Sequence, residues 1–498
     1  MGQHLTKSRY IAGLQCLKRL WLLVHEPPPY EPPPPGSPMD VGQEIGRKAH
    51  LLFPGGALID EEPWRHAEAI ARTAALIADG VTPAIFEAAF EFDGVRIRAD
   101  VLERLPGGAW GLREVKSSTG PKDHYFDDLA LQTYVLRGAG LVVPSVELVH
   151  VNNSYERGPD GIDWRGYFTR LDVRNEIDAR LDDVQARLPG LKECVAKERR
   201  PFVEPGSQCH SPYTCDYWEA CTADKPADWI RRLPRLSGEN AAQLEALGIA
   251  SVSMIPSDFP LTGKQALMRD AIVGGKPYVS VELPTLLASF GPPAAYLDFE
   301  AMAPPIPLYE GTRPYQTLPF QWSLHEADAN GSLSHREFLA DGSGDPRRAF
   351  ADSLVTALGR GAAPIVVYSS YERTRLRELA AVFPDLATSL ESIIARLADL
   401  LPIVRSAVYF PEFDFSYSIK AVGPALCPQF SYDDLDGVAD GVAAAVAFLQ
   451  IACGATEGTD DVVQLRRQLL AYCERDTLAL VKVHETLIAL AAAASHEL

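Results

Sequence analysis

The sequence predicts an α/β chain: two mixed domains joined by a short helical stretch. Two observations point there. Runs rich in β-branched and aromatic residues alternate with helix-forming runs in both halves, so neither a helical bundle nor a β-sandwich accounts for the pattern. Turn chemistry separates these runs, at Asp93-Gly94, at Pro106-Gly107-Gly108 and most clearly at Gly291-Pro292-Pro293. A length of 498 residues leaves room for more than one buried core.

The first domain is expected over residues 1–225. A polar-basic helix opens it, and the proline-dominated stretch 27–38 can then be neither helix nor central strand. Helices are expected at 41–53 and 67–78. Strands follow at 84–92, 95–104 and 110–116, then a helix at 127–137 and a strand at 145–151. Residues 226–289 hold few strand formers, and the run 241–249 before Ile255-Pro256 has the cadence of a small helical module. Such a module is either a linker or a helix–hairpin–helix unit that holds DNA phosphates on backbone amides. The second domain, 290–498, is expected to open with a strand at 294–300. Strands at 319–326 and 364–368 come next, with helices at 347–358, 372–381 and over much of 388–400 and one or two amphipathic helices over 460–494.

A net charge of −19 excludes a protein that coats nucleic acid by bulk electrostatics, though not one with a local basic groove. Lys7, Arg9, Lys18, Arg19, Arg47 and Lys48 do cluster within the first fifty residues. Eight cysteines without regular pairing do not make a secreted disulfide scaffold, and Cys194, Cys427, Cys453 and Cys473 read as buried thiols. The first residues lack the apolar centre of a signal peptide, and no apolar run of membrane-spanning length is free of charge. A cytoplasmic location is expected.

Residues i and i+2 of a strand share a face, so Glu114 and Lys116 project together, with Asp100 approaching from the neighbouring strand. Two carboxylates can hold a hard divalent cation, and a lysine can orient an attacking water. Glu-x-Lys alone is commonplace; the preceding strand aspartate and a following helix with Gln132 and Tyr134 give it weight. Cys209-x5-Cys215-x5-Cys221 lies in an irregular Pro/Gly/Ser/Tyr-rich stretch that lets thiolates converge, and Cys16 supplies a distant fourth. A polynuclear iron–sulfur centre or a structural zinc would each use that set. In the second domain Asp298 and Glu300 share one strand face, and Tyr472 and Asp476 share one helical face.

The first set resembles the PD-(D/E)XK nuclease superfamily, in its RecB-like branch with an iron–sulfur cluster, which includes CRISPR-associated exonucleases and AddAB-type nuclease domains. The resemblance covers about residues 5–222. Leu5-Thr6-Lys7-Ser8 leading to Cys16 matches the opening helix, and Gly42 to His50 matches the helix whose histidine completes the metal site. It implies a restriction-endonuclease-like fold in which Asp100, Glu114 and His50 hold Mg²⁺ or Mn²⁺ and Lys116 positions water. It further implies a Gln/Tyr helix motif at Gln132 and Tyr134, here more closely spaced than usual, and a [4Fe–4S] cluster on Cys16, Cys209, Cys215 and Cys221. The second set resembles the DnaQ-like 3′–5′ exonucleases of the RNase H-like fold, in their tyrosine-containing form. That implies two metal ions on Asp298, Glu300 and Asp476, with Tyr472 orienting the water. Glu372, in Tyr368-Ser369-Ser370-Tyr371-Glu372, stands where that family has aspartate; Asp399 is an alternative, and Ser416-Tyr417-Ser418-Ile419-Lys420 resembles a substrate-side motif. Together the resemblances imply a metal-dependent DNA exonuclease in repair, recombination or defence, acting on single-stranded or end-bearing DNA, with RNA as a second substrate class. The competing expectation is a scaffold that binds nucleic-acid ends for a helicase or integrase partner, with one or both nuclease folds inactive.

Overall fold

The computed structural model describes residues 4–359, 361–432, 435, 437–454 and 458–496. Residues 1–3, part of the opening read for a signal peptide, lie outside them. The chain is mixed α/β and divides into two compact units, residues 1–224 with 305–315, and residues 225–304 with 316–498. The helical stretch 226–289 therefore packs within the second unit rather than forming a third.

The first unit is built on seven strands: β1 (Leu5–Thr6), β2 (Ala57–Leu58), β3 (Ala84–Phe92), β4 (Val95–Arg104), β5 (Trp110–Lys116), β6 (Ser145–Val151) and β7 (Phe168–Asp172). Their order is β2-β3-β4-β5-β6-β7, with β1 paired to β4. β3, β4 and β5 form an antiparallel meander, and β6 runs parallel to β5. Five helices matter to the site: α1 (Lys7–Gln15), α2 (Leu17–His25), α3 (Pro38–Ala49), α4 (His66–Ala78) and α5 (Asp123–Gly138). α5 connects β5 to β6 and buries Leu129, Leu131, Val135 and Leu136 against the sheet. Each such side chain contributes about 1.5–3 kcal/mol of apolar burial. The helix starts at Asp123, before the expected residue 127, and so gains a turn.

The second unit holds a five-stranded sheet of β9 (Ala294–Met302), β10 (Leu318–Ala327), β11 (Leu333–Leu339), β12 (Ile365–Val367) and β13 (Leu397–Asp399), in the order β11-β10-β9-β12-β13. β10 is antiparallel to β9 and β11, while β12 is parallel to β9 and to β13. β8 (Tyr278–Val279) and β14 (Val408–Tyr409) form a separate antiparallel pair. Leu297 and Phe299 join a core with Phe350, Leu376 and Leu390 from three helices on one sheet face. The intervening Asp298 and Glu300 face the other way, towards the long helix Thr459–His496. Among the described residues this is the one helix long and apolar enough to cross a membrane. Its apolar side chains Leu469, Leu480, Val483 and Leu487 are instead buried in the unit, where the helix packs on β9 and β10. The expected helix at 388–400 ends at Ile394, and β13 follows it. Cys194, Cys427 and Cys473 are buried, as expected, but Cys453 is exposed, at the C-cap of the helix Gly441–Ala452.

Candidate functional site

The meander brings Asp100 on β4 beside the end of β5, where the Val115 amide donates to Asp100 Oδ2 at 2.8 Å. Glu114 is buried and accepts from three side chains: Lys7 Nζ at 3.1 and 3.2 Å, Lys116 Nζ at 2.7 Å and Gln132 Nε2 at 2.7 Å. Lys7 also reaches Asp100 Oδ1 at 3.3 Å, so its ammonium bridges the two carboxylates. Lys116 and Gln132 both continue to Asp128, at 2.9 and 3.0 Å. Burial pushes the Glu114 carboxyl up, with repulsion from Asp100 and Asp128 adding to it. Burial would raise Asp128 too, but Lys116 and Lys7 overcome it and hold that group well below the usual carboxylate range.

Asp100, Glu114, Lys116 and Gln132 are thus brought together, and Tyr134 is not. Its hydroxyl donates to Asp93 Oδ2 at 3.1 Å and its ring meets Phe92 edge-on. The reason is helical phase: two residues along a helix turn the side chain by about 200°, so Gln132 and Tyr134 take opposite sides of α5. His50, at the C-cap of α3, stacks flat on Phe86 with ring centroids 3.9 Å apart. Its ring makes no hydrogen bond to Asp100 or Glu114, although burial lowers its pKa and the Asp100 charge partly restores it.

Three members of this cluster were not foreseen as site residues. Asp128 lies one helical turn before Gln132, inside the helix expected at 127–137, so the i, i+4 spacing was the signal for it. Lys7 was visible as one of several basic residues and within the Leu5-Thr6-Lys7-Ser8 segment, but not as a partner of the carboxylates. Glu87 lies between Phe86 and Ala88, which pair with Val101 and Ala99 and so bracket Asp100. It takes φ +55° within β3, a conformation costly for a non-glycine residue. Burial and then Asp100 push its carboxyl up. Its signal was present: it is the lone charge in the run Ala84 to Phe90. A cavity of about 1040 Å³ opens beside the cluster, lined by Lys7, Glu87, Arg96, Arg98, Lys116 and Asp128 among others.

Cys16, Cys209, Cys215 and Cys221 line one small cavity, and all four are free thiols. The Gln15 side-chain amide donates to the carbonyls of Gln208 and Tyr213 at 2.7 and 2.8 Å, and Arg19 pairs with Asp216 at 3.1 Å. These contacts dock the N-terminal helices on the cysteine loop. Burial raises the Cys215 thiol, and the nearby Cys209 and Cys221 add to the rise.

The second unit gathers a different cluster. Asp298 and Glu300 come from β9, Glu372 from the first turn of the helix after β12, and Tyr472 and Asp476 from the long C-terminal helix. Asp298, Glu300 and the unforeseen Cys473 each place a potential ligand atom within 4.8 Å of the others. Burial pushes the Asp298 carboxyl well up, and Asp476, Glu300 and Glu372 push it further. Burial also raises Glu300, Glu372 and Asp476. Among the described residues no lysine or arginine forms an ion pair with any of the four. Glu372 Oε2 is buried without a hydrogen-bond partner. Tyr432, also unforeseen, donates to Asp476 Oδ1 at 2.8 Å, and Tyr472 hydrogen-bonds the same carboxylate. Lys420 Nζ lies 5.0 Å from the centre of the Tyr472 ring. Asp399 serves as a helix cap, accepting from the Leu401 amide at 2.9 Å. Ser416, Tyr417 and Ser418 line a separate cavity of about 1020 Å³ with Arg235, Lys264 and Arg405.

Residues 295–418 match a domain of unknown function, DUF2779. The DUF2779 segment carries Asp298, Glu300 and Glu372 and ends before Tyr432, Tyr472 and Asp476. No curated protein matches the chain.

Proposed function

We propose that the chain is a metal-dependent nuclease with two hydrolytic centres, a RecB-like PD-(D/E)XK centre in the first unit and a DnaQ-like, RNase H-like centre in the second. What carries the proposal is the second cluster: four carboxyl groups gathered together with no ion pair to a lysine or arginine among the described residues, and one of them with an orphaned oxygen. Burying carboxylates unpaired is expensive, and four carboxyl groups offer the hard oxygen donors that suit Mg²⁺ or Mn²⁺. When bound, such ions would supply an activated water and offset charge on a phosphodiester. The strand order with one reversed strand, β10, fits an RNase H-like domain.

The chain's own groups have assignable work. Asp298, Glu300, Glu372 and Asp476 would hold the ions. Tyr472, fixed through Asp476, would orient water, and Tyr432 would keep Asp476 in place. In the first unit Asp100 and Glu114 would share one ion with His50 beside them, while Lys116, locked between Glu114 and Asp128, would position water. Glu87, Asp100, Glu114 and Asp128 face Lys7, Lys116 and, at Glu87, Arg98, so full ionisation still leaves an excess negative charge for a divalent cation to offset. Lys7 occupies the place between Asp100 and Glu114, and must withdraw for that ion. The cysteine set fits a [4Fe–4S] cluster: four free thiols around one cavity, presented by irregular backbone. Its role would be to fasten the N-terminal helices to the cysteine loop; a tetrahedral zinc would do the same. Eight cysteines with no disulfide among them suit a reducing, cytoplasmic setting.

The substrate would be single-stranded or end-bearing DNA, with RNA as the second class, in repair, recombination or defence. A second reading, a scaffold that binds ends for a helicase or integrase, draws on the Lys7 bridge and on glutamate at position 372. Anaerobically purified chain, offered end-labelled DNA and RNA with Mg²⁺ or Mn²⁺, should cut and should show brown iron–sulfur absorption. Lys116→Ala and Asp476→Ala should each remove one part of the cleavage. Binding without cleavage under either ion would decide for the scaffold.

A further inference from the structure

The polar layer under the C-terminal helix contains a second set of ligand-type side chains, separate from the four carboxylates. His325 on β10 and His335 on β11 are direct cross-strand partners, so both rings project to the same face. The ring centroids are 4.6 Å apart. Glu474 reaches them from the long helix, with Oε1 3.7 Å from His335 Nδ1. One ligand atom from each of the three residues lies within 4.8 Å of the other two. Glu337 follows two residues after His335 on the same strand face, and it senses the charges of both His335 and Glu474.

Hydroxyl groups occupy the far sides of both rings. His325 Nδ1 is 2.9 Å from Thr477 Oγ1, and His335 Nε2 is 2.9 Å from Ser323 Oγ. The two hydroxyls lie 2.7 Å apart, and Thr477 also reaches the Glu474 carbonyl at 3.0 Å. When Thr477 donates to that carbonyl, Ser323 donates to Thr477, and each ring must donate its own N–H into the chain. That proton arrangement leaves the lone pairs on His325 Nε2 and His335 Nδ1, and His335 Nδ1 lies 3.7 Å from Glu474 Oε1. Imidazoles oriented by an outer hydrogen bond on one nitrogen, with the other free, are the usual preparation for metal ligation.

We infer that His325, His335 and Glu474, with Glu337 as a fourth donor, form a binding site for a borderline first-row cation such as Zn²⁺. Two imidazoles and a carboxylate favour zinc over the magnesium expected at an all-oxygen centre. Zinc–ligand bonds of about 2 Å require the three side chains to close in modestly, which the partly exposed His335 and Glu474 can do. The ion would tie β10 and β11 to the helix that carries Tyr472 and Asp476. This inference stands whether or not the chain cuts nucleic acid.

The test counts zinc, not turnover. Full-length chain is equilibrated with Zn²⁺ in excess Mg²⁺, and bound zinc per chain is measured by mass spectrometry. His335→Ala and Glu474→Gln should each hold one zinc fewer than wild type, while Asp298→Asn holds the same number. Zinc should also raise the melting temperature of wild type, with a smaller rise in both site variants. Equal zinc in wild type and Glu474→Gln, or a loss that follows Asp298→Asn instead, would overturn the assignment.

Discussion

In the first unit Glu114 lies between the ammonium groups of Lys7 and Lys116; in the second, Asp298 lies among three other carboxyls and no paired cation. The first draws its acids from three neighbouring strands and one helix and the second from one strand and two helices, and what most separates them is counter-charge. The first is largely neutralised by its own lysines and holds together as a hydrogen-bonded network. The second concentrates negative charge that the described residues offset only in part, through Lys420 near Glu300 and Asp476. Removing one charged side chain should therefore have opposite consequences for stability in the two units.

The largest expected effect is on cleavage. Asp298→Asn or Asp476→Ala should lower metal-dependent cleavage by the second centre at least about 100-fold, since even outer partners of metal ligands cost 10–100-fold. A rate assay in a Lys116→Ala background isolates that centre, and a loss below tenfold would break the comparison. Next comes stability. Lys116→Ala leaves Glu114 and Asp128 partly unpaired and should cost about 3–5 kcal/mol in denaturant unfolding of the first unit. In chelator, Asp298→Asn should instead raise the melting temperature of the second. Equal destabilisation by the two changes would mean that counter-charge does not distinguish the clusters.

The pH dependence sharpens the same contrast. Burial raises the Glu300 and Glu372 carboxyls from 4.5 to about 8. Without metal the folded chain retains protons that the unfolded chain releases, so this contribution is full below pH 4.5 and is lost as pH rises towards 8. Asp128 has the opposite sign: its depressed pKa contributes stability that is lost on acidification. Thermal melts in chelator should show the second unit weakening across that rising window, and saturating Mn²⁺ should flatten the slope. The smallest effects lie on one helix. Gln132→Ala should cost about 1–3 kcal/mol by leaving buried carboxylate oxygens short of a donor. Tyr134→Phe, at an exposed bond to Asp93, should stay within about 0.5 kcal/mol and leave cleavage unchanged.

Much of this was legible from residue spacing. Period-two patterning and turn residues gave β3, β4, β5 and β6 with the bounds observed, and therefore the convergence of Asp100, Glu114 and Lys116. What escaped had physical causes. Pairing Gln132 with Tyr134 overlooked helical phase, which sets Asp128 rather than Tyr134 on the Gln132 side of α5. β11 is mostly exposed and β13 has three residues, so neither carries a strong apolar pattern. Tyr432 reaches Asp476 from a distant loop, a tertiary contact with no local signature. The stretch 226–289 looked separate because it holds few strand formers, yet composition says nothing about which core it packs against.

Calorimetric titration of Mn²⁺ into the metal-stripped chain tests the counter-charge account most directly. Wild type should bind at the four-carboxylate centre, and both Asp298→Asn and Asp476→Asn should lose that binding while Lys7→Gln tightens binding at the first. Unchanged isotherms in the two aspartate variants would contradict it.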